Sequence, residues 1–298
     1  MLNFIASLIL YSLFFSSPVS MNGVVLGEKI SQASSPRTIN ENILGVKISA
    51  PYAIVIDSES SKILYEKEKN LQTPLASITK LMSAIIFLEN NPGWDVPVTV
   101  QKDDIRDGGL ITLAPGDMIS VRDLFNLSLV SSSNEATNAL ARSTGLSLDE
   151  FVKKMNVKAK ELGLKQTYFV EPTGLEPANI STALETVAMA REAFDKKEIR
   201  DAVVLKSFTA KVLNSKKRIV GKSTDKLLDS FINNKDLDYT IVGAKTGYIQ
   251  ESAYNFAAIV EKNNNRIIVV ILGSLSDDDR WKDSKGLVDW AFTNFHWP

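Results

Sequence analysis

The amino-acid sequence predicts an α/β fold in which one antiparallel sheet is flanked by helices and carries an inserted all-helical subdomain. Three observations support this prediction: strand-like segments occur early in the chain, similar segments return near its end, and helical periodicity fills about 101–194 between them. Because strands and helices with one apolar face must pack in layers, we expect the two groups of strands to share a sheet and the central helices to form the subdomain. We find no internal repeat.

The first 27 residues contain no charged side chain, and the segment 2–15 is almost wholly apolar. This length is typical of the hydrophobic region of a signal peptide and is short for a membrane span. The basic residues that usually precede such a region are missing, and Met21 is an alternative start. We predict a signal peptide or N-terminal anchor at 1–27, with cleavage left open, then a polar spacer at 28–47 and a single folded domain at 48–298.

The early part of the domain is predicted to contain two strands and a helix. The segments 52–57 and 62–67 are rich in β-forming residues and are separated by a short run of Ser and Glu, which favours a turn. Ser77 is expected to begin the helix. Its apolar residues recur at the spacing of one helical face, at Ile78, Leu81, Met82, Ile85 and Ile86.

The remainder of the chain changes from helical to strand periodicity. Helices are predicted at 120–130, 134–143, 148–162 and 183–194, where apolar residues follow a 3.6-residue period. β-rich segments then follow, separated by turn-forming residues, at 203–213, 239–244, 253–260 and 266–273. A last amphipathic helix is predicted at 278–295.

The composition excludes several classes of chemistry. The chain has no cysteine, so disulfides, thiolate catalysis and Cys-ligated metal sites are excluded. Its single histidine is His296, near the chain end, where a catalytic or metal-ligating role is not expected. The net charge is −1 with both signs interspersed, which gives no indication of a nucleic-acid partner. Hydrolytic chemistry must therefore use Ser, Lys, Asp, Glu or Tyr, and we predict no metal and no cofactor.

Three short motifs occur in the order Ser77-Ile78-Thr79-Lys80, Ser132-Ser133-Asn134 and Lys245-Thr246-Gly247. An S-x-x-K match is expected about once by chance in a chain of this length. A second match is indeed present at Ser223-Thr224-Asp225-Lys226. A given tripeptide such as K-T-G is rarer, on the order of one in several thousand positions. The ordered set is therefore more informative than any single motif.

The spacing of the first motif favours a serine nucleophile with a lysine base. Residues three apart on a helix share a face, so Lys80 can reach the Ser77 hydroxyl. A lysine acts as a base only if burial or a nearby cation lowers its pKa, and Lys245 is the candidate cation. At the start of a helix, the Ser77 N–H would also lie where an oxyanion can be stabilised. The alternative is that Ser77 is a helix cap and Lys80 a solvated surface residue.

The other two motifs also have structural alternatives. Ser132 followed by Glu135 matches a capping box for the helix at 134–143. The third motif follows a β-rich run and matches an ordinary strand end, in which Gly247 would let another backbone approach closely.

Segments outside the motifs resemble the D-alanyl-D-alanine carboxypeptidase family of penicillin-binding serine peptidases, and the resemblance covers about 50–295. The similar segments are Leu113–Asp117, Val121–Leu124, Asn134–Ala141, Phe169–Leu175, Ser181-Thr182 and Asp289–Phe292. The resemblance implies a β-lactamase/transpeptidase-like fold. It also implies an exported enzyme that removes the terminal D-alanine from peptidoglycan stem peptides and that β-lactams inhibit covalently. Membrane contact would then occur only through an uncleaved N-terminal segment.

The resemblance also implies roles for matching residues. Ser77 would be the acylated nucleophile and Lys80 its base, while Ser132 would relay a proton and Asn134 would hold Lys80 and the substrate. The other implied residues bind substrate: Lys245, Thr246 and Arg280 at its terminal carboxylate, Gly247 beside them, and the N–H of Tyr248 with that of Ser77 at the oxyanion. The chain departs from the family at Ser133, usually Gly, and at Thr173, usually His.

Three alternatives remain open from the sequence. A class A β-lactamase would need a general base for deacylation, and Glu171 lies at a plausible distance after Asn134. The Glu-x-x-Leu-Asn pattern of those enzymes is nevertheless absent. A DD-endopeptidase would use the same motifs, and a non-catalytic penicillin- or peptidoglycan-binding sensor would retain the binding residues.

Overall fold

The structure is a computed structural model that describes residues 35–39, 44–106, 108–109 and 112–298. The predicted signal peptide or anchor at 1–27 and much of the spacer at 28–47 lie outside the described residues. Within those ranges, none of the helices combines the length and apolar character that crossing a membrane requires.

A five-stranded antiparallel sheet with the order β10-β11-β12-β2-β3 forms the centre of the molecule. The early strands join the late ones directly, since Ile54 in β2 pairs with Val270 in β12. The predicted sheet built from both ends of the domain is therefore confirmed. The strands are β1 Arg37–Thr38, β2 Tyr52–Asp57, β3 Ile63–Lys67, β4 Thr73–Pro74, β5 Pro97–Thr99, β6 Met118–Ser120, β7 Ile180–Ser181, β8 Ser207–Lys211, β9 Arg218–Lys222, β10 Tyr239–Ile249, β11 Ala253–Lys262, β12 Asn265–Ser274 and β13 Phe295–His296.

The helices begin close to the predicted positions because capping side chains precede them. Ser120, Ser147, Thr182 and Ser276 each accept a hydrogen bond from the backbone three residues later. The α-helices are α1 Lys80–Glu89, α2 Val121–Val130, α3 Asn134–Ser143, α4 Leu148–Glu161, α5 Ala183–Asp195, α6 Lys197–Val203 and α7 Asp277–Asn294.

The sheet is buried on both faces, which explains the continuous apolar runs in β2 and β12. Alternate residues of a strand point to opposite faces. Ile54 and Ile56 therefore pack with the core that contains α1 and α5, whereas Ala53 and Val55 pack with the core against α7. Each fully buried large aliphatic side chain contributes roughly 1.5–3 kcal/mol. The predicted α/β class with helices flanking an antiparallel sheet is confirmed.

Three details differ from the sequence-based expectation. The segment 197–203 is helical (α6), so the predicted strand at 203–213 shortens to β8. β10 continues through Gly247 to Ile249, because its pairing with β11 persists up to the turn at 250–252. The region 101–194 also contains the short strands β6 and β7, and α5 packs directly on β11 and β12.

Candidate active site

Ser77 lies in a 3₁₀ turn, Ala76–Thr79, immediately before α1. The α-helix therefore begins at Lys80 and not at Ser77 as expected. The turn is anchored by a backbone hydrogen bond from Leu75 N to Asn179 O at 2.8 Å. Ala76 has φ of +48°, which turns the chain sharply just before Ser77. A strained backbone beside a reactive side chain is common at functional sites.

The ammonium group of Lys80 is completely buried and has three oxygen partners. Its Nζ lies 2.9 Å from Ser77 Oγ, 2.7 Å from Asn134 Oδ1 and 2.7 Å from the Thr173 carbonyl oxygen. A neutral amine has two N–H groups and one lone pair, which fits two carbonyl acceptors and one hydroxyl donor. The same positions suit a charged ammonium that donates to all three oxygens. A proton can thus move between Ser77 and Lys80 without displacement of heavy atoms.

Burial lowers the pKa of Lys80 to about 7, and the charges of Glu171 and Glu135 oppose this effect. The lowered pKa of Lys80 agrees with the expectation. The predicted repulsion by Lys245, however, is not among its causes. Repulsion between the two buried lysines acts on Lys245, whose pKa is lowered by burial and then by the charges of Lys80 and Arg280. A substantial fraction of Lys80 is therefore neutral near pH 7.

Ser133, and not Ser132, caps α3. Ser133 Oγ accepts from Ala136 N at 3.0 Å, and the Glu135 carboxylate accepts from Thr112 N at 2.7 Å. The capping box suggested for Ser132 and Glu135 is therefore absent. Ser132 has φ of +58°, and Lys245 Nζ donates to its hydroxyl at 2.9 Å. The cap at the next residue leaves the Ser132 hydroxyl available to the cavity.

Asn134 connects two sides of the site. Its Oδ1 accepts from Lys80, and its Nδ2 donates to Gly108 O at 2.9 Å. Both groups of the amide are thus used, which fixes its orientation.

β10 places Lys245 and Thr246 on opposite sides of the same strand. Lys245 is buried, and its Nζ also donates to Thr246 O at 3.0 Å. The Thr246 hydroxyl lies 2.5 Å from the Thr224 hydroxyl. The strand therefore brings the Thr246 side chain to the cavity and places the Lys245 amine behind its wall, against Ser132.

Two glycines allow other segments to approach the Ser77 turn. A Cβ at Gly247 would lie 2.7 Å from Leu75 O and 3.2 Å from Ser77 N. A Cβ at Gly174 would lie 1.9 Å from Ala76 O, and Gly174 has φ of +87°. Side chains at either position would push β10 or the 171–175 loop away from Ser77.

Tyr248 lies near the end of β10, and Arg280, in the first turn of α7, contacts the same strand. Arg280 is buried, and its Nη1 donates to Gly247 O at 3.3 Å and Asn255 O at 3.2 Å. Its guanidinium carbon lies 5.2 Å from the ring of Tyr254, which stacks on Tyr248 at 4.3 Å. Tyr248 is 54% exposed and borders the opening.

Seven of the nine predicted site residues line one cavity of about 610 Å³. Lys80 and Lys245 lie behind its wall and reach it through Ser77 and Ser132. The seven lining residues are Ser77, Ser132, Asn134, Thr246, Gly247, Tyr248 and Arg280.

The sequence interpretation missed the residues that hold the 171–175 loop. The Glu171 carboxylate accepts from Thr173 N at 2.6 Å, Gly174 N at 2.5 Å and Asn179 Nδ2 at 2.8 Å. It does not line the cavity with Ser77, so the position expected of a deacylation base is not observed. The Thr173 carbonyl that accepts from Lys80 gives no signal in a sequence, because every residue has one.

Comparisons of the sequence and of the structure with known proteins both find D-alanyl-D-alanine peptidases. The family model for D-alanyl-D-alanine carboxypeptidase matches residues 36–276. The chain is 34% identical over 226 residues to the D-alanyl-D-alanine endopeptidase of Haemophilus influenzae, covering 75% of this chain and 73% of that protein. It is 31% identical over 257 residues to D-alanyl-D-alanine carboxypeptidase DacF of Bacillus subtilis, covering 83% of this chain and 63% of that protein. The crystal structure of the Streptomyces K15 DD-transpeptidase superposes with a TM-score of 0.76 at 26% identity, covering 84% of this chain and 100% of that one.

Proposed function

Since the chain belongs to the D-alanyl-D-alanine carboxypeptidase family, we propose that its cavity removes the terminal D-alanine from peptidoglycan stem peptides through an acyl-enzyme on Ser77. The observation that carries this proposal is the contact of 2.9 Å between Ser77 Oγ and a buried lysine whose pKa is lowered to about 7. A serine becomes a nucleophile when a neighbouring base accepts its proton.

Acylation would start when the Ser77 hydroxyl proton passes to Lys80 Nζ and Oγ attacks the carbonyl carbon of the penultimate D-alanine. The oxyanion would be stabilised by the N–H groups of Ser77 and Tyr248. Collapse of this intermediate breaks the C–N bond, and the leaving amine takes the Ser132 hydroxyl proton, which Lys245 replaces. Free D-alanine departs. Water then attacks the Ser77 ester and gives a proton back to Lys245 through Ser132, while Lys80 returns its proton to Ser77 Oγ, so the shortened peptide is released and both lysines regain their starting states.

Lys245 and Ser132 support the proton transfer to the leaving group. Lys245 Nζ donates to Ser132 Oγ at 2.9 Å, and Ser132 and Thr246 both line the cavity. Lys80 would thus accept the proton of Ser77, and Lys245 would supply one to the leaving amine through Ser132.

Lys245, Thr246 and Arg280 would recognise the terminal carboxylate of the peptide. A carboxypeptidase must distinguish a chain end from an internal peptide bond, and the end carries a negative charge. Charge-assisted hydrogen bonds to it contribute about 1.5–3 kcal/mol each. Arg280 Nη1 donates to backbone carbonyls at 3.2 and 3.3 Å, and Nη2 forms an ion pair with Asp277. Its contribution to carboxylate recognition would therefore be electrostatic and reduced by Asp277.

A DD-endopeptidase is the second candidate, because the Haemophilus influenzae relative carries that name at 34% identity. Both activities would use the same nucleophile and differ in the group that leaves. The engagement of Glu171 within its own loop argues against a class A β-lactamase. We further propose that the enzyme acts outside the cytoplasmic membrane, where the polymer lies, and that β-lactams acylate Ser77.

The test compares kcat/KM for diacetyl-L-Lys-D-Ala-D-Ala, for its C-terminal amide and for a cross-linked dimer of stem peptides. We expect turnover of the free acid and at least about tenfold slower turnover of the amide, because the amide lacks the charge that Lys245 and Arg280 recognise. Faster cleavage of the cross-linked dimer would instead favour the endopeptidase. Turnover of a chromogenic cephalosporin without peptide cleavage would overturn the proposal.

A further inference from the structure

The hairpin of β8 and β9 has one packed face and one solvent-facing face. Its packed side chains, Phe208, Ala210 and Ile219, belong to the core that includes α2. The outward face consists of three cross-strand pairs whose members are all exposed: Ser207 with Lys222, Thr209 with Val220, and Lys211 with Arg218. Three cations therefore stand on one face of a two-stranded ribbon.

This ribbon lies in the most basic stretch of the chain. Residues 206–226 contain seven Lys or Arg and one Asp, in a protein of net charge −1. Lys206, Lys217 and Lys226 form ion pairs with Asp229, Asp117 and Asp277. Among the described residues, no ion pair is formed by the three outward cations of the ribbon.

The arrangement of the three cations is unfavourable for the isolated protein. Lys211 and Arg218 are directly opposite in the register, and like charges at such positions destabilise a hairpin. Lys222 lies on the same face four residues from Arg218, about 13 Å away at the usual rise of a strand. Lys222, Arg218 and Lys211 together form a row of cations along the hairpin. An anionic partner bound along this row would remove the repulsion between them.

The row is continuous with the cavity. Val220 and Lys222 line the cavity together with Ser77, whereas Arg218 lies farther from the cavity on the same face of β9. A peptide whose end occupies the cavity and whose upstream residues leave along β9 would meet Lys222 first and Arg218 next.

We propose that the outward face of this hairpin, from Lys222 to Arg218 with Lys211, binds carboxylate groups of the substrate upstream of the scissile bond. Lys222 is then a specificity-determining residue for an acidic peptide. This inference rests on the proposed function, since it takes the direction of the peptide from the site at Ser77. Peptidoglycan stem peptides fit this chemistry, because a γ-linked D-glutamyl residue retains a free α-carboxylate.

The experiment uses two peptides that differ by one charge, N-acetyl-γ-D-Glu-L-Lys-D-Ala-D-Ala and the same peptide with the D-Glu α-carboxylate converted to its amide. The ratio of their kcat/KM values is measured for the wild type, Lys222→Gln and Lys222→Glu. Lys216→Gln is the matched control, because Lys216 is exposed in the turn of the same hairpin but lies off the row. Thermal unfolding of each variant checks that the hairpin remains folded.

We expect the wild type and Lys216→Gln to prefer the acidic peptide by about fivefold, as for an exposed ion pair, mainly through KM. The preference should disappear in Lys222→Gln, reverse in Lys222→Glu and weaken as the salt concentration rises. Equal ratios in the wild type and Lys222→Gln would overturn the inference. The inference would also be overturned if a phosphodiester polymer inhibited the enzyme while the wild type hydrolysed the two peptides equally well. The cations of the hairpin would then serve a different partner. Failure of the wild type to hydrolyse either peptide would instead refute the proposed function.

Discussion

The chain contains the S-x-x-K pattern twice, and the two copies have different surroundings. At Ser77–Lys80 the lysine is 0% exposed and contacts the serine hydroxyl at 2.9 Å. At Ser223–Lys226 the lysine side chain is 65% exposed and pairs with Asp277 at 2.5 Å. The Ser223 hydroxyl accepts from Asp225 N at 3.1 Å, and the Lys226 amine donates to Asp277 and not to this hydroxyl.

The two lysines consequently differ in protonation. The oxygens that contact Lys80 are neutral, and burial lowers its pKa to about 7. The carboxylate of Asp277 is the main cause of the raised pKa of Lys226. The S-x-x-K spacing by itself is therefore not enough to activate a serine. Burial with neutral acceptors makes a lysine able to act as a base, whereas an exposed carboxylate partner keeps it charged.

The largest expected difference between the two copies concerns the serines. Ser77→Ala should reduce acylation by penicillin by at least about 10³-fold, because it removes the proposed nucleophile in the turn before α1. Ser223→Ala should acylate at the wild-type rate. Mass spectrometry of penicillin-treated protein should place the adduct on the peptide that contains Ser77. An adduct on Ser223 would reverse the assignment of the two copies.

The two lysines provide the next comparison. Lys80→Arg keeps the positive charge but cannot release its proton, so acylation should fall by about 10²–10⁴-fold. Lys226→Arg can retain the ion pair with Asp277 and should acylate at nearly the wild-type rate. Stopped-flow measurement with a reporter β-lactam gives both rates, and circular dichroism checks the folds. Normal acylation by a folded Lys80→Arg variant would show that another group is the base.

Asp225, between Ser223 and Lys226, should have an effect on stability. Its Oδ2 is buried without a hydrogen-bond partner among the described residues, and burial raises its pKa to about 6. The unfolded state then loses this proton at lower pH than the folded state, so the group reduces stability as the pH rises from about 4 to 6.

Asp225→Asn retains the acceptor for Leu227 N and removes the charge. Relative to the wild type, its free energy of unfolding should rise by roughly 1–3 kcal/mol between pH 4.5 and pH 8. Urea denaturation at both pH values measures this change, with the exposed Asp236→Asn as the control. A difference between variant and wild type that does not vary with pH would contradict the buried-charge interpretation.

The smallest expected effect concerns the carboxylates around each lysine. In the proposed mechanism acylation uses neutral Lys80, so kcat/KM should rise with pH through about 7. Glu135 raises the pKa of Lys80, and Glu135→Gln can retain the Oε1 acceptor for Thr112 while it removes the charge. The acid limb should then shift to lower pH by a fraction of a unit. Asp278→Asn, which acts on Lys226, should leave that limb unchanged.

Much of the fold followed from periodicity in the sequence. The alternating and continuous apolar runs located β2, β3, β11 and β12, and the 3.6-residue period located the long helices. The extent of β10 was not predictable, because the pairing that continues it to Ile249 depends on β11. α6 was missed because its seven residues are too short for a clear period.

The site was predictable where it depends on spacing and on the family resemblance, and not where it depends on backbone geometry. Both Ser132 and Ser133 satisfy a capping pattern. The φ of +58° at Ser132 decides between them, and no sequence pattern specifies that angle here. The Thr173 carbonyl contributes through a main-chain atom, and the Glu171 carboxylate binds main-chain N–H groups of its own loop, so residue types gave no indication of either contact.

The pairing of β2 with β12 also affects how the chain folds. Ile54 and Val270 are more than 200 residues apart, so closing this pair costs the chain about 5 kcal/mol of loop entropy before any contact compensates. High contact order of this kind slows folding. During synthesis, β2 and β3 emerge early, but one edge of β2 and both its apolar faces stay uncovered until β12, α5 and α7 are available. The early hairpin is therefore open to mispairing with other chains until the last third of the protein has been made.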